Sequence, residues 1–208
     1  MTATDTILLN PEIINKSYSY KEYRELIEKL LDKEKTTGEN HSEEMLHYSR
    51  MNLHRMDRHD KYAEMKPALE RVLRNLNRKF LWVVLVEGWC SDVAQNLPII
   101  NKMAEATEKI ELKLILRDEN LEIMDQFLTD GRSRSIPKLI CMDADSHEVL
   151  GSWGPRPDTA QQMAKDLKYM NDLLLKEGVE RLHKWYADDK NEEIQEEFLK
   201  LIPEWEKG

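Results

Sequence analysis

The sequence is poor in cysteine, with Cys90 and Cys141 as its two cysteines among 208 residues. Two cysteines do not make the disulfide framework that stabilises small secreted domains. Long apolar runs are also missing. The first thirty residues contain no basic start and no apolar stretch longer than Ile7-Leu8-Leu9, so we expect neither a secretory signal nor a transmembrane helix. These absences favour a cytoplasmic protein that has no membrane partner.

Positive charge is in deficit as well. The 31 Lys and Arg residues stand against 40 Asp and Glu residues, which gives a net charge of −9. Because phosphate backbones repel an acidic chain, we do not expect nonspecific nucleic-acid binding. What the chain does have is length, since 208 residues suffice for one large domain or for a domain with helical additions. The sequence does not disclose an oligomeric state.

One stretch organises the chain, from Phe80 to Pro98. Residues 80–86 form an apolar run rich in β-branched and aromatic residues, which predicts a strand buried on both faces. The following turn contains Cys90, and Ser91 and Asp92 are residue types that cap a helix. A cysteine at a helix N-terminus lies near free backbone N–H groups and the positive end of the helix dipole, which stabilise a thiolate. The turn therefore predicts a reactive cysteine.

Several motifs in this order resemble the thioredoxin-like superfamily over about residues 70–176. Trp89 and Cys90 after a buried strand look like the start of the thioredoxin active site, and Pro98 matches the proline that kinks the following helix. The SIPKLI segment at 135–140 resembles the cis-proline segment that faces the active cysteine. The resemblance thus implies a cis Ile136–Pro137 bond opposite Cys90.

A closer resemblance is to a bacterial group of thioredoxin family proteins whose motif reads Trp-Cys-Gly-Asp. The matching stretches here are WCSD at 89–92, GRSRSIPKLI at 131–140 and SWGPRP at 152–157. The usual superfamily motif is Cys-x-x-Cys, and this chain departs from it because Val93 occupies the fourth position. The resemblance therefore implies a monothiol site that lacks a resolving cysteine.

The pattern of elements predicts an α/β protein with a thioredoxin-like fold, a central mixed sheet and a βαβαββα core. We expect an N-terminal helical extension (1–78) packed on the core, a thioredoxin-like domain (79–177) and a C-terminal helical extension (178–208), with Gly178 interrupting the helical pattern. Helices are predicted at 20–34, 42–56, from 67, from 91, at 120–129 and at 158–176, and strands at 80–86, 109–116, 138–142 and 147–153.

The candidate site residues fall into two groups. Trp89, Cys90 and Pro137 are carried over from the family motif, and Asp92 joins this catalytic group by its position beside the cysteine. Asp92 either opposes the thiolate by like charge or takes the thiol proton, and the sequence leaves both open. Ile136 and arginines at the carboxyl ends of strands, where ligands bind in open α/β sheets, form the substrate-binding group. These arginines are Arg132, Arg134 and Arg156, and Arg117 lies at the same edge.

Two other clusters of polar residues invite functional interpretations. The spacing of His47, His54 and His59 does not match a metal site, so we interpret them as polar residues on a solvated helix face and expect no metal and no cofactor. A basic cluster nearby lies among acidic residues, which indicates a surface crossed by salt bridges. Its members are Arg50, Arg55, Arg58 and Lys61.

Three functions fit a lone Cys90. Cys141 lies four residues past Pro137, about 13 Å along an extended strand, so it is too distant to serve as the resolving thiol and we expect it in the core. Cys90 can exchange a mixed disulfide with a protein or a low-molecular-weight thiol, or act as a peroxide sensor, although the Pro and Thr of the peroxiredoxin signature are absent. The third function is a non-catalytic protein-binding module that uses the cis-proline groove.

Overall fold

The computed structural model describes residues 11–167 and 172–208. Within these ranges the chain forms four strands and nine helices. The helices are α1 (Pro11–Asn15), α2 (Tyr20–Leu31), α3 (Glu43–Tyr62), α4 (Pro67–Arg74), α5 (Ser91–Glu105), α6 (Leu121–Met124), α7 (Asp158–Leu167), α8 (Asp172–Asp189) and α9 (Glu192–Lys207), and the strands are β1 (Phe80–Val86), β2 (Ile110–Leu116), β3 (Lys138–Asp143) and β4 (Val149–Trp153). No helix in these ranges is long and apolar enough to cross a membrane.

The sheet is mixed, with strand order β2-β1-β3-β4. β1 pairs with β2 in parallel and with β3 antiparallel, and β4 is antiparallel to β3. Every residue of β1 is buried, as expected of a central strand whose side chains are all apolar. This arrangement confirms the predicted α/β, thioredoxin-like fold with helices before and after the core.

An aromatic cluster joins the C-terminal helix α9 to the central strand. The ring centroid of Trp82 in β1 lies 5.4 Å from that of Phe198 and 6.2 Å from that of Trp205. Both α9 rings are buried, so this helix covers one face of the sheet with large apolar side chains. The division of the chain into three units at residues 78 and 177 stays a prediction.

The N-terminal helices begin where their capping residues stand. The Ser19 side chain accepts from the Glu22 backbone N–H while Glu22 reaches back to Ser19, a capping box that starts α2. Ser42 caps α3, which continues beyond its predicted end to Tyr62. Tyr23 and Ile27 of α2 are buried in the main core, so this helix contributes to the same core as the sheet.

The C-terminal half departs from the prediction at Gly178. The predicted helix at 158–176 is seen as α7 up to Leu167, residues 168–171 lie outside the described ranges, and Asp172 begins α8. Gly178 does not interrupt a helix but lies inside α8. The cost of a helical glycine, about 1 kcal/mol, is outweighed here because α8 packs on α7 through a small apolar cluster of its own that includes Ala160, Leu182 and Tyr186.

His59 is buried, so its interpretation as part of a solvated helix face was wrong, whereas His47 and His54 are exposed. Its Nε2 lies 2.8 Å from Gln95 Oε1, and its Nδ1 lies 3.1 Å from Asn191 Nδ2. Because the first partner accepts and the second donates, this pairing fits the neutral ring. Burial lowers the pKa of His59, and the nearby positive charges of Arg58 and Lys102 lower it further. The hydrogen bond to Gln95 and the charge of Asp60 raise it, but by less.

We expect the His59→Gln substitution to flatten the dependence of stability on pH below about pH 6.5. The folded chain resists protonation of His59 and the unfolded chain accepts it, so the wild type loses stability as pH falls, by up to about 1.4 kcal/mol per pH unit for one proton. An amide can keep both hydrogen bonds without titrating. Urea unfolding between pH 5 and 7.5 measures the effect, and His54→Gln is the exposed control. Equal slopes for wild type and His59→Gln would contradict this interpretation.

Candidate active site at the Cys90 turn

Cys90 stands at the junction of β1 and α5, where it is the residue that precedes the first helical turn. It takes this position itself, although Ser91 and Asp92 are the better capping types. Its thiol is half-buried and donates to the carbonyl of Ile136 at 3.4 Å. The Ile136–Pro137 peptide bond is cis. The structure therefore brings the cysteine and the proline loop into direct contact.

The surroundings of Cys90 favour the protonated thiol over the thiolate. Burial raises its pKa to about 12, and the Asp92 carboxylate acts in the same direction by like charge. The backbone N–H groups of Val93 and Asp92, together with the Arg156 guanidinium, favour the thiolate, but their combined effect is smaller. The expected stabilisation by the helix N-terminus is thus present and is outweighed.

The Asp92 carboxylate is held by two donors from the C-terminal half of the chain. Arg156 Nη2 lies 2.6 Å from one oxygen, and the Tyr186 hydroxyl donates to the other at 3.0 Å. Asn96 Nδ2 lies 3.2 Å from the same hydroxyl. The Asp92 side chain is 13% exposed, so this ion pair is shielded from solvent. Asp92 is therefore fixed as an anion partner of Arg156.

The predicted arginines do not all gather at the thiol. Arg134 forms a two-pronged ion pair with Asp125, with N–O distances of 2.6 and 2.7 Å. Arg117 stacks on the Trp89 ring, 4.9 Å from its centroid. Arg132 is exposed and forms no ion pair within the described part of the chain. Among the four predicted arginines, Arg156 is the one that acts on the Cys90 thiol.

Helix α3 and the loop before it form hydrogen bonds with the residues on either side of Cys90. The Gly88 N–H donates to Thr37 Oγ1 at 2.8 Å, and the Gly88 carbonyl accepts from Asn52 Nδ2 at 2.9 Å. Arg55 donates to Ser91 Oγ at 3.2 Å. Arg55 is thus half-buried beside the site, and its assignment to a surface crossed by salt bridges was wrong.

Cys141 lies away from this site. It is fully buried in β3, where it pairs with Trp82 of β1, and burial raises its pKa to about 12. Both cysteines are free thiols. Cys141 is therefore part of the core, as its distance from Pro137 indicated.

Comparison with known proteins agrees with the fold. A protein of unknown function from Pseudomonas aeruginosa is similar in structure, with a TM-score of 0.54 and 19% identity over 89% of this chain and 98% of its own. An HIV epitope scaffold has a TM-score of 0.53 and 18% identity over the same shares. No curated protein matches the sequence. The family model described as thioredoxin matches residues 38–168, which is more than half of the sequence, and the chain therefore belongs to the thioredoxin family.

Proposed function

We propose that this chain carries out thiol–disulfide exchange through Cys90, as a monothiol protein that forms a mixed disulfide with a protein or a low-molecular-weight thiol. The observation that carries the proposal is the position of the Cys90 thiol, half-buried at the start of α5 and 3.4 Å from the Ile136 carbonyl beside the cis proline. A disulfide that lies along this loop presents its sulfur to Cys90. Trp89 and Pro137 border the same point.

The reaction needs one thiolate and one external thiol. The Cys90 thiolate attacks a substrate disulfide, an S–S bond forms to Cys90, and the other sulfur leaves as a thiolate that takes a proton from water. A second small thiol then attacks the mixed disulfide and restores Cys90. The cycle has to close from outside because Val93 stands at the usual resolving position and Cys141 is buried in β3.

The raised pKa of Cys90 keeps the thiolate fraction low, and this low fraction slows the attack in this proposal. The Val93 and Asp92 N–H groups and Arg156 stabilise the thiolate once it forms, and Arg132 offers an exposed positive charge to an acidic thiol such as glutathione or bacillithiol. A cycle closed by a free small thiol suits the cytoplasm, where such thiols are kept reduced. The WCSD turn and its resemblance to bacterial thioredoxin family proteins support a bacterial setting.

The second candidate is a protein-binding module, and the protonated thiol and the Asp92–Arg156 ion pair favour it. Intact mass separates the two after incubation with glutathione disulfide at pH 8. Exchange predicts one glutathione adduct in wild type and in Cys141→Ser, no adduct in Cys90→Ser, and reversal by dithiothreitol. An unmodified wild type under these conditions would overturn the exchange proposal in favour of the binding module.

A further inference from the structure

Lys138 is a buried cation without an anionic partner. It follows Pro137 directly and is only 6% exposed. In residues 11–167 and 172–208, no carboxylate lies within ion-pair distance of its ammonium. Its ammonium donates to the Gly154 carbonyl at 2.9 Å. Burial lowers its pKa, with Asp130 as the one opposing charge. A buried ammonium is costly unless an anion compensates it.

A cavity of about 540 Å³ opens beside Lys138. Its lining includes Asp130, Asp158 and Glu197, of which Asp130 pairs with Lys165 at 3.1 Å and Glu197 accepts from the Asp158 N–H at 2.7 Å. Arg156 lines the same cavity, and its buried Nε has no hydrogen-bond partner in the described ranges. The cavity therefore presents an ammonium that is bonded to a carbonyl but to no anion, and the free Nε of an arginine whose other nitrogens bond Asp92 and Gln161.

This cavity lies next to the Cys90 site. Lys138 is two residues past Ile136, whose carbonyl contacts the thiol, a separation of about 7 Å along extended chain. Arg156 belongs to both places, because it pairs with Asp92 beside Cys90 and also lines the cavity. A molecule with a carboxylate a few bonds from its sulfur spans this separation.

We propose that the Lys138 cavity binds the carboxylate of a small acidic disulfide whose sulfur meets Cys90. This inference rests on the proposed exchange for its chemistry, and Lys138 and Arg156 are the residues that select the substrate. The alternative is a purely structural Lys138 that joins the start of β3 to the Gly154 carbonyl. The two differ because a structural lysine does not distinguish a charged substrate from a neutral one.

The first test compares the rates at which 3,3′-dithiodipropionate and 2-hydroxyethyl disulfide modify Cys90 in the Cys141→Ser background. We expect Lys138→Met to lower the ratio of the acidic to the neutral rate by at least about fivefold, the loss of one charge-assisted hydrogen bond. Lys79→Met is the matched control. Lys79 is exposed just before the start of β1, whereas Lys138 pairs with Leu85 near the opposite end of that strand. An unchanged ratio in Lys138→Met would overturn the inference.

The second test separates this inference from the exchange itself. The thioether 3,3′-thiodipropionate cannot exchange, so we expect it to bind Cys90→Ser and to shift the backbone NMR signals of Lys138, Gly154 and Lys165. This test needs no substitution of Lys138. It therefore still tests the carboxylate site in the event that Lys138→Met does not fold. Binding without any Cys90 modification would reject the exchange and keep the carboxylate site. Absent shifts, or shifts confined to other regions, would reject the carboxylate site.

Discussion

Asp92→Asn should make Cys90 at least about tenfold more reactive towards iodoacetamide at pH 7.5, since one unit of pKa changes the thiolate fraction tenfold. The substitution removes the negative charge that raises the Cys90 pKa. It also frees Arg156, whose guanidinium then acts on the thiolate alone. Both changes lower the pKa of Cys90. Alkylation rates between pH 6 and 10, in the Cys141→Ser background, show the lowered pKa as a faster reaction of Asp92→Asn at each pH.

Two variants show whether charge is the cause of this effect. Asp125→Asn removes an acidic group that pairs with Arg134 in the neighbouring loop, and we expect no change in Cys90 reactivity. Tyr186→Phe removes the hydroxyl bonded to Asp92 without changing charge, so it reports on loosening of α8 over the site. If Tyr186→Phe accelerates alkylation as much as Asp92→Asn does, the like-charge explanation is wrong.

Val93→Cys should convert a poor disulfide reductase into an active one. Val93 lies in the first turn of α5, three residues after Cys90, and is 1% exposed. A thiol there can attack the mixed disulfide at Cys90 from within the chain, so the second thiol no longer has to come from solution. We expect insulin reduction with dithiothreitol to rise at least about tenfold over a near-background wild type.

The control for Val93→Cys is Val93→Ala, which removes the same apolar bulk without supplying a thiol. Both variants are made in the Cys141→Ser background so that no other thiol takes part. Intact mass after mild oxidation should show the loss of two hydrogens in Val93→Cys. Activity at the wild-type level despite that internal disulfide would mean that substrates cannot reach Cys90.

Much of the fold could be predicted because the signals that start its helices and strands lie within a few adjacent residues. The apolar run at Phe80–Val86, the Ser19 cap and the Pro67 start each describe a few adjacent residues, and each element begins where predicted. The stripe at 158–176 is seen in α7 up to Leu167 and in α8 from Asp172, and these two helices pack against each other through an apolar cluster of their own. Propensity at Gly178 carried less weight than that packing.

The electrostatics of the site could not be predicted, because they depend on residues far apart in sequence. Tyr186 reaches Asp92 across 94 positions, and no local signal in the C-terminal helices indicates that contact. His59 looked like surface because its helix is mostly polar, yet its partners come from α5 and the start of α9. Lys138 looked like an ordinary first residue of a strand, and its burial depends on how the loops around Gly154 close over it.

The most direct test of monothiol exchange is the removal of glutathione from a glutathionylated model protein, with free glutathione as the second thiol. Wild type and Cys141→Ser should release the modified protein's thiol at equal rates, because Cys141 is buried in the core. Cys90→Ser should fall to the rate of glutathione alone. If wild type and Cys90→Ser release it at the same rate, Cys90 does not exchange thiols and the proposed function is wrong.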